Sequence, residues 1–245
     1  MKTFLIFACL ATCVFAVDYC NIAGSRKGMH IGCGNDGKLS KKCPKGSKEV
    51  KFSQKHINII VAGHNEKRNE IAGGKISGYK PAAKMATMVW DPELARVASF
   101  NANRCVYGHD RYRMTEKFRY SGQNIYMGYG SHPIGDPTFW IQQATDLWFK
   151  EHMNGTMADI DKLPVDFSAI GHFTVMVRDT NVAVGCGAVT MPSNEYPGND
   201  EMLLVCNYAA NNMYGQQVYK SSENAASGCK TTIKPYLNLC PAIKT

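Results

Sequence analysis

The chain has 245 residues, 44% of them hydrophobic, a formal net charge of +8 and ten cysteines. That length suits one large domain or two small ones and is ample for a hydrophobic core. No apolar stretch reaches the roughly twenty residues of a membrane-spanning helix, and scattered basic residues with no recognition motif beside them argue against nucleic acid as a partner.

In chain order, Lys2 is followed by an apolar run from Phe4 to Phe15 and by Val14 and Ala16 at the exit, the pattern of a secretory signal peptide cleaved after Ala16 or Val17. Export removes Cys9 and Cys13 and lowers the charge to +7. The eight cysteines left are an even count with no short-spaced Cys-x-x-Cys pair, which favours disulfides over zinc. Counting cannot choose among the roughly one hundred possible pairings. Residues 18–52, rich in Gly, Lys and Ser, read as an irregular cysteine-containing arm. Ser53 is placed to cap a helix with Ile57, Ile60, Val61, His64, Arg68 and Ile71 on one face, ending at Gly73-Gly74. Asp91-Pro92 opens a second helix running as far as Cys105, and Asp136-Pro137 a third reaching Glu151. A loop dense in Arg, Tyr and Gly lies between these two. Three short β-branched runs then predict strands at Ile170–Val177, Val182–Val189 and Met202–Tyr208. Helices first and strands later imply an α+β layered domain over 53–220. The tail, 221–245, closes a small loop through Cys229 and Cys240.

Gly171-His172-Phe173-Thr174 and Leu203-Leu204-Val205-Cys206-Asn207-Tyr208 resemble the two signature motifs of the CAP superfamily, the cysteine-rich secretory, antigen 5 and pathogenesis-related 1 proteins. His64-Asn65-x-x-Arg68, Cys105 to Asp110, Gly122-Gln123-Asn124 and Leu147 to Glu151 resemble further family motifs, in the family's order. Asp18-Tyr19-Cys20 and Gly-Gln-Asn in place of Gly-Glu-Asn are similar to the insect antigen 5 branch, and the Cys229 to Cys240 loop to its fly members. The resemblance implies a three-layer α-β-α sandwich and pairs Cys20 with Cys33, Cys43 with Cys105, Cys186 with Cys206 and Cys229 with Cys240. A further bridge of the wasp proteins lacks both ends here, with Gly24 and Tyr112 at the two positions. Val175 and Arg178 replace the usual Gln and Trp of the first signature, and Asn212-Met213 the Gly-Asn that ends the second.

The resemblance also implies a central cleft where two histidines and two acidic residues meet: His109, His172 and Glu151, with Gln123 in place of the second acid. Two neutral imidazoles and a carboxylate suit zinc or copper, and Gln123 removes one negative charge and one acid/base partner. The competing reading is a hydrogen-bond network tying helix to strand, with no cofactor required. No nucleophile elbow, zinc-protease helix, phosphate loop or spare thiol is present. Asn154-Gly155-Thr156 is an N-glycosylation pattern. His30, His56, His132 and His152 have no partner legible in the sequence.

These features are read first as a secreted, non-enzymatic antigen 5-like effector or allergen of saliva or venom. Its partner would be a host or endogenous extracellular protein, an immune factor among the candidates. The second reading is a carrier of a sterol, fatty acid or eicosanoid in a groove between the faces Ile57–Ile71 and Trp140–Trp148. The third is a metal-dependent hydrolase or copper redox enzyme built on His109 and His172.

Overall fold

The computed structural model describes residues 17–242. The expected signal peptide, apart from Val17, lies outside the described residues. In chain order the elements are β1 (Lys48–Val50), α1 (Gln54–Ala72), β2 (Val89–Trp90), α2 (Pro92–Ala102), β3 (Gly122–Ser131), α3 (Thr138–Lys150), α4 (Met157–Asp161), α5 (Gly171–Val177), β4 (Ala183–Pro192) and β5 (Asn199–Tyr208).

Local signals account for the three long helices. Ser53 caps α1 in a capping box whose return partner is His56, so His56 does have a role. Asp91 accepts from the amides of Glu93 and Leu94 at 3.0 and 2.9 Å, and Pro92 fills the first helical position of α2. Asp136 accepts from the Thr138 amide at 2.8 Å and starts α3. The second helix stops at Ala102, short of the expected Cys105. There the chain turns through a left-handed Cys105, φ 56°, tied to Cys43.

The sheet runs β1-β4-β5-β3, with β2 parallel to β4. Alternation along β5 divides the core into two layers. Leu203 and Val205 face α2 with Ala98, Ala102 and Ile125, whereas Met202, Leu204, Cys206 and Tyr208 face α1, α3 and α5 with Ile60, Trp148 and Phe173. This is the α-β-α sandwich expected from the resemblance. Helix α2 lies so close to β4 that a Cβ at Gly187 would stand 2.5 Å from the Ser99 Cα. The four disulfides pair as the resemblance implied, and Cys186–Cys206 joins directly opposed residues of β4 and β5.

Three expectations are corrected. Part of the arm is ordered as β1, which extends the sheet by pairing Lys48 with Thr190. The loop expected before α3 contains the ten-residue strand β3, paired with β5 along its whole length. Its glycines hide it, because they lower strand propensity. At Gly130 the missing side chain makes room for Trp140, whose Cζ2 would lie 2.5 Å from a Cβ.

The third correction is that Ile170–Val177, expected as a strand, forms the helix α5. Its β-branched residues favour a strand, but distant side chains satisfy both helix ends. Glu151 Oε2 accepts from the amides of His172 and Phe173 at 2.8 and 3.1 Å. At the other end Arg68 donates to the carbonyls of Met176 and Arg178 at 2.6 and 2.9 Å. An anion at the N-terminus and a cation at the C-terminus also complement the helix dipole.

Under this layer His64 is fully buried. Its Nδ1 donates to Ile60 O at 2.7 Å, and its Nε2 accepts from Tyr208 Oη at 2.9 Å. Desolvation lowers its pKa to about 4, with Arg68 adding to the shift. Between that value and the ordinary imidazole value of about 6.5 the unfolded chain binds the extra proton, so stability falls as pH falls through this window, by up to about 3 kcal/mol. Urea titrations from pH 7 to pH 4 should show wild type losing stability faster than His64→Leu. Parallel curves would remove His64 as the cause.

Candidate functional site

Helix α5, the turn after α3, β3 and the loop after α2 bring His172, Glu151, Gln123 and His109 to one part of the surface. His109, Gln123 and His172 line a cleft of about 480 Å³ with Asn124, Asn212 and Phe167. The four residues meet as two pairs. His172 Nδ1 contacts Glu151 Oε1 at 2.6 Å, and His109 Nδ1 contacts Gln123 Oε1 at 2.7 Å. Each acceptor oxygen requires the proton on Nδ1, which leaves the lone pair of a neutral ring on Nε2.

Both supporting residues are fully engaged. Glu151 spends one oxygen on the His172 ring and the other on the N-terminus of α5. The Gln123 amide nitrogen donates to Asp110 Oδ2 at 2.7 Å and to Asn207 Oδ1 at 2.9 Å. Asp110 in turn accepts from Asn101 and pairs with Arg113 Nε at 2.9 Å. Burial would raise the Asp110 carboxyl, but the Arg113 guanidinium and the amides of Asn101 and Gln123 hold it below the ordinary carboxylate range. Desolvation pushes the His109 pKa down, against the hydrogen bond that its Nδ1 donates to Gln123 Oε1.

Sequence reasoning missed Asp110, although it adjoins His109. It supplies the carboxylate that position 123 lacks, and it requires an amide at 123. Gln123→Glu would set a second carboxylate against Asp110, so we expect a loss of about 2 kcal/mol, seen as a lower thermal midpoint. An unchanged midpoint would rule out the contact.

For a zinc or copper ion the site offers the two imidazole Nε2 atoms. Glu151 and Gln123 are committed, and no group of three or more His, Cys, Asp or Glu side chains converges among the described residues. Between α1 and α3, where the lipid groove is expected, lies a cleft of about 480 Å³ lined by Ile59, Ala62 and Gly63 together with polar and charged side chains. Lys67 and Asp146 pair across it at 2.7 Å, and Glu66 and Gln142 line its mouth.

The other histidines have structural partners. His30 contacts Met114 O at 2.8 Å, His132 pairs with Asp200 at 2.8 Å, and His152 Nδ1 donates to Phe149 O at 2.8 Å. Asn154 and Thr156 of the glycosylation pattern are both exposed. No described helix is long and apolar enough to cross a membrane.

A disulfide-tied α-β-α sandwich with a histidine pair at the mouth of α5 defines the class of protein. The chain belongs to the CAP, cysteine-rich secretory protein, family, whose sequence profile matches residues 61–208. It is 36% identical over 230 residues to Venom allergen-1 of Aedes aegypti, covering 91% of this chain and 87% of that protein. It is 35% identical over 206 residues to the Antigen 5 like allergen Cul n 1 of Culicoides nubeculosus, covering 78% and 91%. Among solved structures, NaASP2 with Zn2+ superposes with a TM-score of 0.65 at 28% identity, covering 81% of this chain and 99% of that one. The chain is thus an antigen 5-like member of the family.

Proposed function

We propose that the chain is a secreted effector that acts by binding another extracellular protein and not by catalysis. The observation that carries this reading is the engagement of both Glu151 oxygens, on the His172 ring and the α5 amides, and of the Gln123 amide nitrogen on Asp110 and Asn207, so that neither side chain offers the cleft an uncommitted base. A rigid sandwich with four bridges suits display of a surface, since little ordering entropy is lost on binding. Tabinhibitin 3 of Tabanus yao, 29% identical over 226 residues, carries an inhibitor's name, which is compatible with action through a bound target.

The test is capture of plasma proteins on immobilised wild type and on His109→Ala/His172→Ala. A partner retained equally by both supports the proposal. No specific partner, or an enzymatic activity lost with the two histidines, would overturn it. Export and use of Asn154 are part of the same reading. Expression in insect cells should place the chain in the medium, with a glycosidase-sensitive mobility shift that Asn154→Gln abolishes.

A further inference from the structure

Beside the histidine cleft, and sharing Arg113 and Asn211 with it, lies a second cleft of about 660 Å³. One wall is the arm at Ala23-Gly24. The other is the loop from Arg111 to Ser121. The walls are joined by non-covalent contacts: Ile31 N donates to Tyr112 O at 3.0 Å, and Arg119 donates to Ala23 O at 2.9 Å. Gly24 and Tyr112 both line this seam.

Its electrostatics are one-sided. No carboxylate lines the cleft among the described residues, whereas Arg111, Arg113 and Arg119 do. Arg113 is committed to Asp110. Arg111 and Arg119 are exposed and form no ion pair among the described residues. The Arg111 guanidinium lies 5.6 Å from the Tyr112 ring centroid, which steadies its plane. Arg26 and Lys27, both exposed, follow Gly24 in the arm.

We propose that this cleft binds a sulfated glycan. Planar guanidinium forks match the oxygens of a sulfate in bidentate fashion. The Tyr120 ring, 72% exposed, offers a flat apolar face to a sugar ring, and Ser121 and Asn211 bring polar groups for its hydroxyls. Free cations spread along an open rim suit a chain bearing several sulfates better than one small anion, which needs convergent donors. The site does not depend on the protein-partner reading, and binding of a glycan would tether the effector near cell surfaces.

The test is titration of the secreted protein with heparin at physiological salt. Arg111→Gln/Arg119→Gln keeps a donor for the Ala23 carbonyl, and its thermal midpoint should match wild type. We expect its affinity to fall about ten-fold or more, since two charge-assisted contacts are lost. The charge-matched control Lys41→Gln/Lys42→Gln, at exposed positions of the arm, should lose less than about two-fold. Equal losses in the two variants, or retained binding to desulfated heparin, would overturn the proposal. So would an arginine variant that binds heparin normally and loses only phosphatidylserine vesicles.

Discussion

Replacing Cys43 and Cys105 together by serine is expected to destabilise the protein by about 4 kcal/mol and lower its thermal midpoint by roughly 12 °C. The bridge spans 62 residues, the longest separation of the four. In the chain-entropy account, cross-linking removes more freedom from the unfolded state as the closed loop grows. It also anchors the arm to the end of α2, just before the segment that carries His109 and Asp110. Loss of the bridge should therefore expose the arm to early protease cleavage. Replacing Cys229 and Cys240, 11 residues apart, should cost about 3 kcal/mol. Differential scanning calorimetry on both double variants checks the order. Equal midpoints for wild type and the Cys43/Cys105 variant would contradict the assignment of the arm as a bridge-held lobe.

Arg68→Met should cost about 3 kcal/mol and lower the midpoint by about 10 °C. Arg68 is fully buried. Its guanidinium donates to Ala86 O at 3.1 and 2.7 Å through Nε and Nη2, and through Nη1 to the carbonyls that end α5. Burial lowers its pKa to about 9, which still leaves it charged at neutral pH. Methionine fills similar space but takes the guanidinium donor from Ala86 O and Met176 O, while Arg178 O keeps the Asn181 amide at 3.1 Å, and the loss is larger than the gain from removing a buried charge. Arg68→Lys separates charge from shape. An ammonium keeps the charge but cannot reach carbonyls on both sides, so it should fall with Met. Full rescue by lysine would show that charge alone matters. Because α5 positions His172, heteronuclear NMR of that ring should shift in both variants.

Much of the fold was legible in residues that act on their near neighbours. Ser53, Asp91 and Asp136 start their helices, and the apolar runs of β4 and β5 lie where alternation and β-branching place them. The resemblance located His109, His172, Glu151 and Gln123 and all four bridges, but not how the site residues are joined. Nothing in the spacing of Glu151 and His172 says that one carboxylate caps a helix and holds a ring at once. Nor does Gln123 by itself reveal that Asp110 and Asn207 occupy its amide nitrogen.

The sequence alone determined the layered class, the helix starts and the even set of cysteines, since these follow from propensity, period and counting within short windows. Tertiary structure decided that the segment expected as a strand is the helix α5, because Glu151 and Arg68 satisfy its ends from 20 and 103 residues before its first residue, Gly171. It likewise decided that β3 is a strand, because the full length of β5 pairs with it. The same contacts gave the cleft its character. Hydrogen-bonding groups that a sequence leaves open are, in the folded chain, taken up by partners far away along it, and here they leave two imidazole nitrogens and a row of arginines facing outward.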